Sequence, residues 1–423
     1  MGIEQKINQL LNSSPKIKKS IKRFYQICMY LVSHKIKSEG NIIRVSPDDN
    51  NHEYFFGYYD KSPWDITDRY ILCLRANNTW SDVSPREKAD ILIIDTKNNN
   101  SVTKIGETCS WNVQQGCMLQ WLGPDFNDRV IYNDFRDGKY CSVVLKISFG
   151  EKIIAKEERC YPMPVYSISI DGSFALSLDF SRLYRLRPGY GYYNLPEETR
   201  NEKIPDKTCI WKINLFTGQI ESVLKYTDFY NFEHKSEMDN AEHKVNHLMI
   251  SPNGKRFMVL HRWLHGGKKY TRLLTCNIDG SEMYNLNDDG MVSHCCWKDN
   301  EHILAFEYKK ESGLGYYLMK DKSNEMEKYW ESIDYDGHPS FSANGKYIVF
   351  DRYPDKVRIA SVMISAADNK DSKNVRIVAR VFAPFKYDND TRCDLHPRWN
   401  RAGNLVCFDS VFEGHRGLYV VQS

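Results

Sequence analysis

No stretch of this 423-residue chain approaches the roughly 20 consecutive apolar residues that a membrane-spanning helix needs, so a helical integral membrane protein is not expected. Nucleotide and serine-hydrolase chemistry lack their motifs. There is no phosphate-cradling Gly-rich loop ending in Lys-Ser/Thr, no Gly-x-Gly-x-x-Gly after a strand, no Gly-x-Ser-x-Gly elbow and no His-Glu-x-x-His. Charge bias is also missing: 58 Lys and Arg against 55 Asp and Glu leave a formal +3, so the chain as a whole is not drawn to nucleic acid. Twelve cysteines are present, but none in a Cys-x-x-Cys spacing, and no cleavable secretory signal is read at the start. Cys73, Cys141, Cys276 and Cys407 lie singly inside strand patterns and are expected as small buried hydrophobes in a reducing cytoplasm. Cys295 and Cys296 are adjacent and would point to opposite faces of a strand, which disfavours a shared metal.

What the chain does contain is a repeated sentence. His338-Pro-Ser-Phe-Ser-Ala-Asn-Gly345 leads into Tyr347-Ile-Val-Phe350, a strand, an Asn-Gly turn and a second strand. His247 to Gly254 leads into Phe257–Leu260, His294 to Asn300 into Ile303–Phe306, and His396 to Gly403 into Leu405–Phe408. Three weaker copies start at Lys61, Met118 and Val165. The clearest steps are 47 and 44 residues. Seven units of four short strands, each in the forties in length, predict an all-β, seven-bladed β-propeller over residues 39–423. Ring closure would pair Leu418–Val421 with Ile42–Val45, because closure removes two exposed sheet edges. Longer intervals at 179–208, 229–245 and 366–392 read as insertions.

Residues 1–38 differ. Ile17, Ile21, Phe24, Cys28 and Leu31 share one helical face, Lys18, Lys19, Lys22 and Arg23 the other, and no acidic residue lies between Glu4 and Glu39. Such a basic amphipathic helix suits peripheral attachment to an anionic membrane through residues 16–37. It equally suits a helix packed on the domain's flank with its basic face in solvent. Met1-Gly2 lacks the Ser or Thr at position six that myristoylation wants.

The repeats resemble the TolB-type propeller repeat, whose pattern of His or apolar residue, Pro, Phe or Trp, Ser, Pro, Asp, Gly is met by Ser251-Pro-Asn-Gly254 and by His338 to Gly345. The His-led run is similar, more narrowly, to the oligogalacturonate lyases. That resemblance implies a propeller enzyme with a divalent metal, typically manganese, held by His and Gln on the channel axis, acting on an acidic oligo- or polysaccharide. The chain departs from that family in its N-terminal helix, its Tyr58-to-Trp64 segment and its Ser181-to-Tyr190 loop, so the saccharide stays open. A looser resemblance is to proteins of surface-polysaccharide assembly.

Residues at the entry of each blade's first strand converge on one end of the channel. His247, His294, His338 and His396 are therefore expected there together, and neutral imidazoles around an axis suit a divalent transition metal. His247 and His261 are candidates for acid or base. Arg182, Arg185, Arg187 and Tyr190 in one insertion, with Arg262 and Lys268 near the fourth repeat, describe a pocket for an anionic saccharide, since Arg forks grip carboxylates and Tyr rings stack on sugars. Tyr59, Asp60 and Lys61 are read as further polar groups at the channel end. Asp351 and Asp409 read as turn-forming blade residues. The function expected is metal-assisted β-elimination of a uronate-containing saccharide. The alternative is a non-catalytic propeller, or glycosyl-transfer accessory, at the cytoplasmic face of the inner membrane.

Overall fold

Runs of β-branched and aromatic residues broken by Asn-Gly and Asp-Gly turns favour antiparallel hairpins. In a computed structural model of the chain these hairpins form seven antiparallel sheets, six of four strands and one of five. The structure describes residues 15–32, 36–84 and 86–423. Parts of the expected basic amphipathic segment, residues 1–14 and 33–35 and the side chains of Ile17, Lys18, Lys19 and Lys22, lie outside the described residues.

Each sheet is one blade. The strands nearest the axis, in blades 1 to 7, are Glu53–Phe55, Gln120–Trp121, Ser167–Ile168, Glu242–Ile250, Val292–Trp297, Ser340–Phe341 and Arg398–Trp399. The ring closes as the sequence predicts: Ile43 pairs with Val420 and Arg44 with Tyr419, on the outer edge of blade 7. Just upstream, Ser38–Glu39 pairs with Val381 and Arg380 as a fifth strand on blade 6. One short N-terminal segment therefore staples two blades.

The repeat's recurring Trp has a structural meaning. The indole N–H of Trp121 donates to Pro63 O at 2.9 Å, that of Trp297 to Met249 O at 3.0 Å and that of Trp399 to Ser340 O at 3.0 Å. In each case a blade is bolted to the innermost segment of the blade before it, while the ring fills the wedge between sheets. Cys73, Cys141, Cys276 and Cys407 are buried and unbridged.

The first repeat departs from the expected register. Blade 1 begins at Glu53, and only an isolated bridge, Trp64 to Ile71, represents the predicted strand near Lys61. Residues 56–62 between them leave the sheet and cross the channel.

The helix Pro15–Val32 docks through its polar side. Arg23 pairs with Asp388 at 2.9 Å, donates to Phe385 O at 2.9 Å and lies 4.2 Å over the Phe385 ring. Tyr30 stacks on Phe382 at 4.9 Å. Ile21, Phe24 and Leu31, on the apolar stripe, are 43%, 69% and 66% exposed. Both orientations expected from the pattern assumed either a membrane or an apolar packing face; what holds this helix to the propeller is a cation and an aromatic ring. No helix among the described residues is long and apolar enough to cross a membrane.

Candidate active site

The four histidines lie at the entry of the inner strands of blades 4 to 7, where the chain bulges. In blade 4 the pairing register shifts between Asn246 and Met249, and in blade 5 between Val292 and Cys295. A bulge turns one side chain out of the strand's alternation. His247 and His396 reach the same end with left-handed φ of 56° and 45°, a conformation uncommon for non-glycine residues and frequent at functional sites. The rings form an arc: His247 to His294 is 5.8 Å between centroids, His294 to His338 is 4.0 Å, and His338 to His396 is 4.2 Å.

Carboxylates fix three of these residues from behind. Asp351 accepts from both the backbone N–H of His338 and its Nδ1, at 2.7 and 2.9 Å, and from the backbone N–H of His396 at 3.1 Å. Asp336 accepts from His294 Nδ1 at 3.0 Å. Asp351, expected as a turn residue, is thus the support of the site. Burial works against a charged His338 ring, but Asp351, with Asp394 and Asp336, carries its pKa above the ordinary value. His396 is pushed well below it by burial and by the neighbouring His338 and Arg398.

Metal fit can be judged from orphaned atoms. His338 Nε2, His396 Nε2 and Asp394 Oδ2 are buried without hydrogen-bond partners, and the ligand atoms of these three residues lie within 4.8 Å of one another. A buried trio of two imidazoles and a carboxylate, with one imidazole backed by an aspartate, is a donor set that suits a divalent transition metal. The group is not the four imidazoles expected: Asp394 joins His338 and His396, while His247 carries the Tyr58 phenol on Nε2 and the Asn246 amide on Nδ1 at 2.7 Å.

The channel-crossing segment supplies the floor. Asp409 accepts from Phe56 N at 3.1 Å, and Arg398 donates to the carbonyls of Gly57 and Tyr58. Tyr58 then lies 5.4 Å from His247 and 5.1 Å from His396, ring to ring, and Tyr59 lies 5.1 Å from His338. The Tyr59 hydroxyl donates to Cys295 O at 2.8 Å, so this residue reaches the site with its ring rather than its hydroxyl. From the insertion after blade 3's second strand, Tyr190 closes the other side, 6.2 Å from Tyr58 and 6.4 Å from His247.

Beside His247 stands a group of cations. Arg262 is buried, its Nε is without a hydrogen-bond partner, and its guanidinium makes only a 3.5 Å contact to Val292 O. Burial and the charge of Arg187 both lower its pKa. Lys244 is pushed well below the usual ammonium range by burial and by Arg262, Arg187 and Lys269. Lys269 is pushed down to about 8, first by Arg262, then by burial and Arg187; Asp336 alone opposes. Four basic groups together, with one carboxylate nearby already bonded to His294, leave a positive potential without its anion.

Other residues singled out in the sequence sit elsewhere. His261 accepts from Arg272 Nε on Nδ1 at 3.1 Å and shares a 2.8 Å bond from Nε2 to His243 Nδ1, whose Nε2 donates to Met238 O at 3.0 Å, so both its nitrogens are used within blade 4. Arg182 is fully buried against Glu197, Thr199 and backbone carbonyls, and Arg185 is paired with Glu197 and Glu242. Neither guanidinium is free for a substrate. Lys268 is exposed on a hairpin tip, outside the His arc. Asp60 and Lys61 pair with each other at 2.7 Å and line a cavity with Gln120, Ile168 and Ser169, near the turn end of the inner strands, opposite the histidine entry. Tyr353, Asp336, Asp394 and Arg392 were not selected from the sequence. Their signal is slight: Asp394 precedes His396 by two residues, a spacing that puts both on one side of an extended chain.

No protein-family model matches this chain, and no curated protein does. Solved structures do. An oligogalacturonate lyase in complex with manganese overlays with a TM-score of 0.62 at 15% identity, over 92% of this chain and 95% of that one. An oligogalacturonate lyase from Vibrio parahaemolyticus gives 0.57 at 13% identity over 90% and 92%. TolB from Acinetobacter baumannii overlays more loosely, at 0.40 and 15% identity over 79% and 76%. At these identities the likeness establishes the fold: the chain is a seven-bladed β-propeller resembling the oligogalacturonate lyases.

Proposed function

We propose that the chain binds an acidic, uronate-containing saccharide at the histidine end of the channel and cleaves it by metal-assisted β-elimination. The observation that carries this reading is the buried Arg262 beside the histidine arc, its Nε without a partner, grouped with Lys244, Lys269 and Arg187, none of which makes an ion pair among the described residues. Arg262 and Lys244 are buried, Arg187 is half-buried and Lys269 stands exposed at the rim; buried cations without carboxylates are costly unless a ligand supplies the anion.

In this reading Arg262 and Lys269 grip the uronate carboxylate, and the fixed cations lower the energy of the enolate that forms when the adjacent carbon loses its proton. A divalent ion held by His338, His396 and Asp394 would add Lewis-acid stabilisation of the same charge. His294 is the base: Asp336 holds its Nδ1–H, leaving the Nε2 lone pair toward the channel, and burial keeps the ring's pKa below the ordinary value, so it is neutral near pH 7. Collapse of the enolate expels the glycosidic oxygen as a double bond forms in the ring. The Tyr58 phenol, bonded to His247, is the proton donor to that oxygen.

Incubation with polyuronides, read by the ultraviolet absorbance of unsaturated products, tests this directly. Wild type should give a rising trace, His294→Ala a flat one, and Arg262→Gln a much slower one. A flat wild-type trace across several polyuronides, with divalent metal supplied, would sink the lyase reading.

One observation favours the alternative of a non-catalytic propeller at a membrane face: the exposed stripe of Ile21, Phe24 and Leu31 within a segment, Gln5 to Ser38, holding eight Lys and Arg and no acid. Flotation on anionic vesicles with and without residues 1–36 decides it; equal flotation of the two would leave the helix a packing element only.

A further inference from the structure

A cavity of about 1180 Å³ lies between the N-terminal helix, the loop carrying Trp80, and the loops following the second and fourth strands of blade 6, Tyr347–Arg352 and Arg376–Phe382. Its wall toward the histidine arc is the pair Tyr353 and Arg392. The Arg392 guanidinium lies 5.2 Å over the Tyr353 ring. The same two residues touch the arc: Tyr353 is 5.6 Å from His338, ring to ring, and Arg392 Nε donates to Asp394 at 2.7 Å. Arg392 Nη1 donates to Asn389 O at 3.1 Å, and Nη2 has no partner among the described residues.

At the far side the Trp80 indole is 41% exposed, and the Lys386 ammonium stands 4.6 Å over its ring. Large exposed aromatic faces inside a concave site are unusual on a surface that binds nothing. The cavity's charges are Arg23, Arg358, Lys386 and Arg392 against Asp388 and Asp390. Asp388 is taken up by Arg23 at 2.9 Å and Arg358 at 3.4 Å. Lys386 at one end, and at the other the Nη2 of Arg392, whose Nε is held by Asp394, remain to meet a ligand.

We propose that this cavity is a second saccharide subsite, for the part of an acidic chain that continues beyond the unit held at the histidine arc. Trp80 is the platform on which a sugar ring stacks, Lys386 receives its carboxylate, Arg392 faces the unit nearer the arc, and the N-terminal helix is the outer wall. This rests on the reading of the arc as an acidic-saccharide site and adds that the ligand is an extended oligomer rather than a dimer.

Calorimetric titration of the full chain with galacturonate oligomers of two and six units, and with a neutral glucose hexamer, tests it. The acidic hexamer should bind about tenfold more tightly than the dimer, and the neutral hexamer far more weakly than either. Trp80→Ala with Lys386→Gln should bring the hexamer to the dimer's affinity and leave the dimer's own unchanged, with the thermal midpoint preserved as the check on folding. If dimer and hexamer bind alike, or if the double variant keeps the preference for length, the subsite is refuted while the arc reading stands. If the hexamer binds through Trp80 while the dimer does not bind at all, the subsite stands and the arc reading falls. Absence of binding by any acidic oligomer refutes both.

Discussion

A single carboxylate sets the posture of two imidazoles. Asp351 receives the backbone N–H of His338 and of His396 and the ring N–H of His338. In Asp351→Asn an amide nitrogen must face one of those donors, and the weaker acceptor no longer fixes the ring. Partners of this kind are worth about 10- to 100-fold in metal affinity, so competition with a chelating dye should show a loss of that size for Mn or Zn. Unchanged affinity would remove His338 from the ligand set. Glu307, on the second strand of blade 5, makes a separate residue-scale statement. Its carboxyl is fully buried with neither oxygen hydrogen-bonded, and the Lys309 ammonium stands 3.3 Å from one of them. Burial pushes its pKa up to about 7 against that attraction. Between the ordinary carboxyl range and about 7 the folded chain holds a proton that the unfolded chain has released, so stability falls as pH rises through this window. Glu307→Gln should therefore raise the melting temperature at pH 8, by the equivalent of roughly 1–3 kcal/mol, and give little gain at pH 4.5. An equal gain at both would show that the carboxyl is not the source.

At the scale of elements, one hairpin, one insertion and one detour make the site. The hairpin of blade 4 brings Lys269 beside Arg262, and the insertion after blade 3's second strand adds Arg187 and Tyr190. Because Lys269 titrates near 8, it is charged below that pH and neutral above it. Affinity for an acidic saccharide should be level from pH 6 to 7 and weaken as pH climbs through about 8; Lys269→Arg should hold affinity at pH 9. A pH-independent affinity would take Lys269 out of the carboxylate's grip. The same elements mark the limit of what the primary chain discloses. The blades, their order and the closing strand are written in local turn chemistry and in Trp and His at a fixed register, and a register repeated every forty-odd residues converts into a ring. The four histidines meet for that reason. Long-range partners carry no such mark: Arg182 and Arg185 look like a substrate clamp in sequence because Glu197 and Glu242 lie 12 or more residues from them. The crossing of the channel by residues 56–62 is hinted at only by the weakness of the first repeat.

For the whole molecule, the axis is held by one fully buried ion pair. Arg398 and Asp409, each 1% exposed, lie 2.9 Å apart, and between them grip Phe56, Gly57 and Tyr58. Asp409→Ala leaves the guanidinium buried without its partner, which typically costs 3–5 kcal/mol, and releases the channel-crossing segment. Chemical denaturation should show a lower midpoint and a blurred transition, with Tyr58 protons newly exchanging. Full stability in this variant would mean that the segment is held by packing alone. The stapling of the first strands onto the last two blades carries a further implication for how the polypeptide is made. Ile43 and Arg44 leave the ribosome long before their mates, Val420 and Tyr419. Until residues 419 and 420 are made, blade 7 cannot close and the nascent array keeps two raw β edges, a state in which a cell must shield it from neighbouring chains.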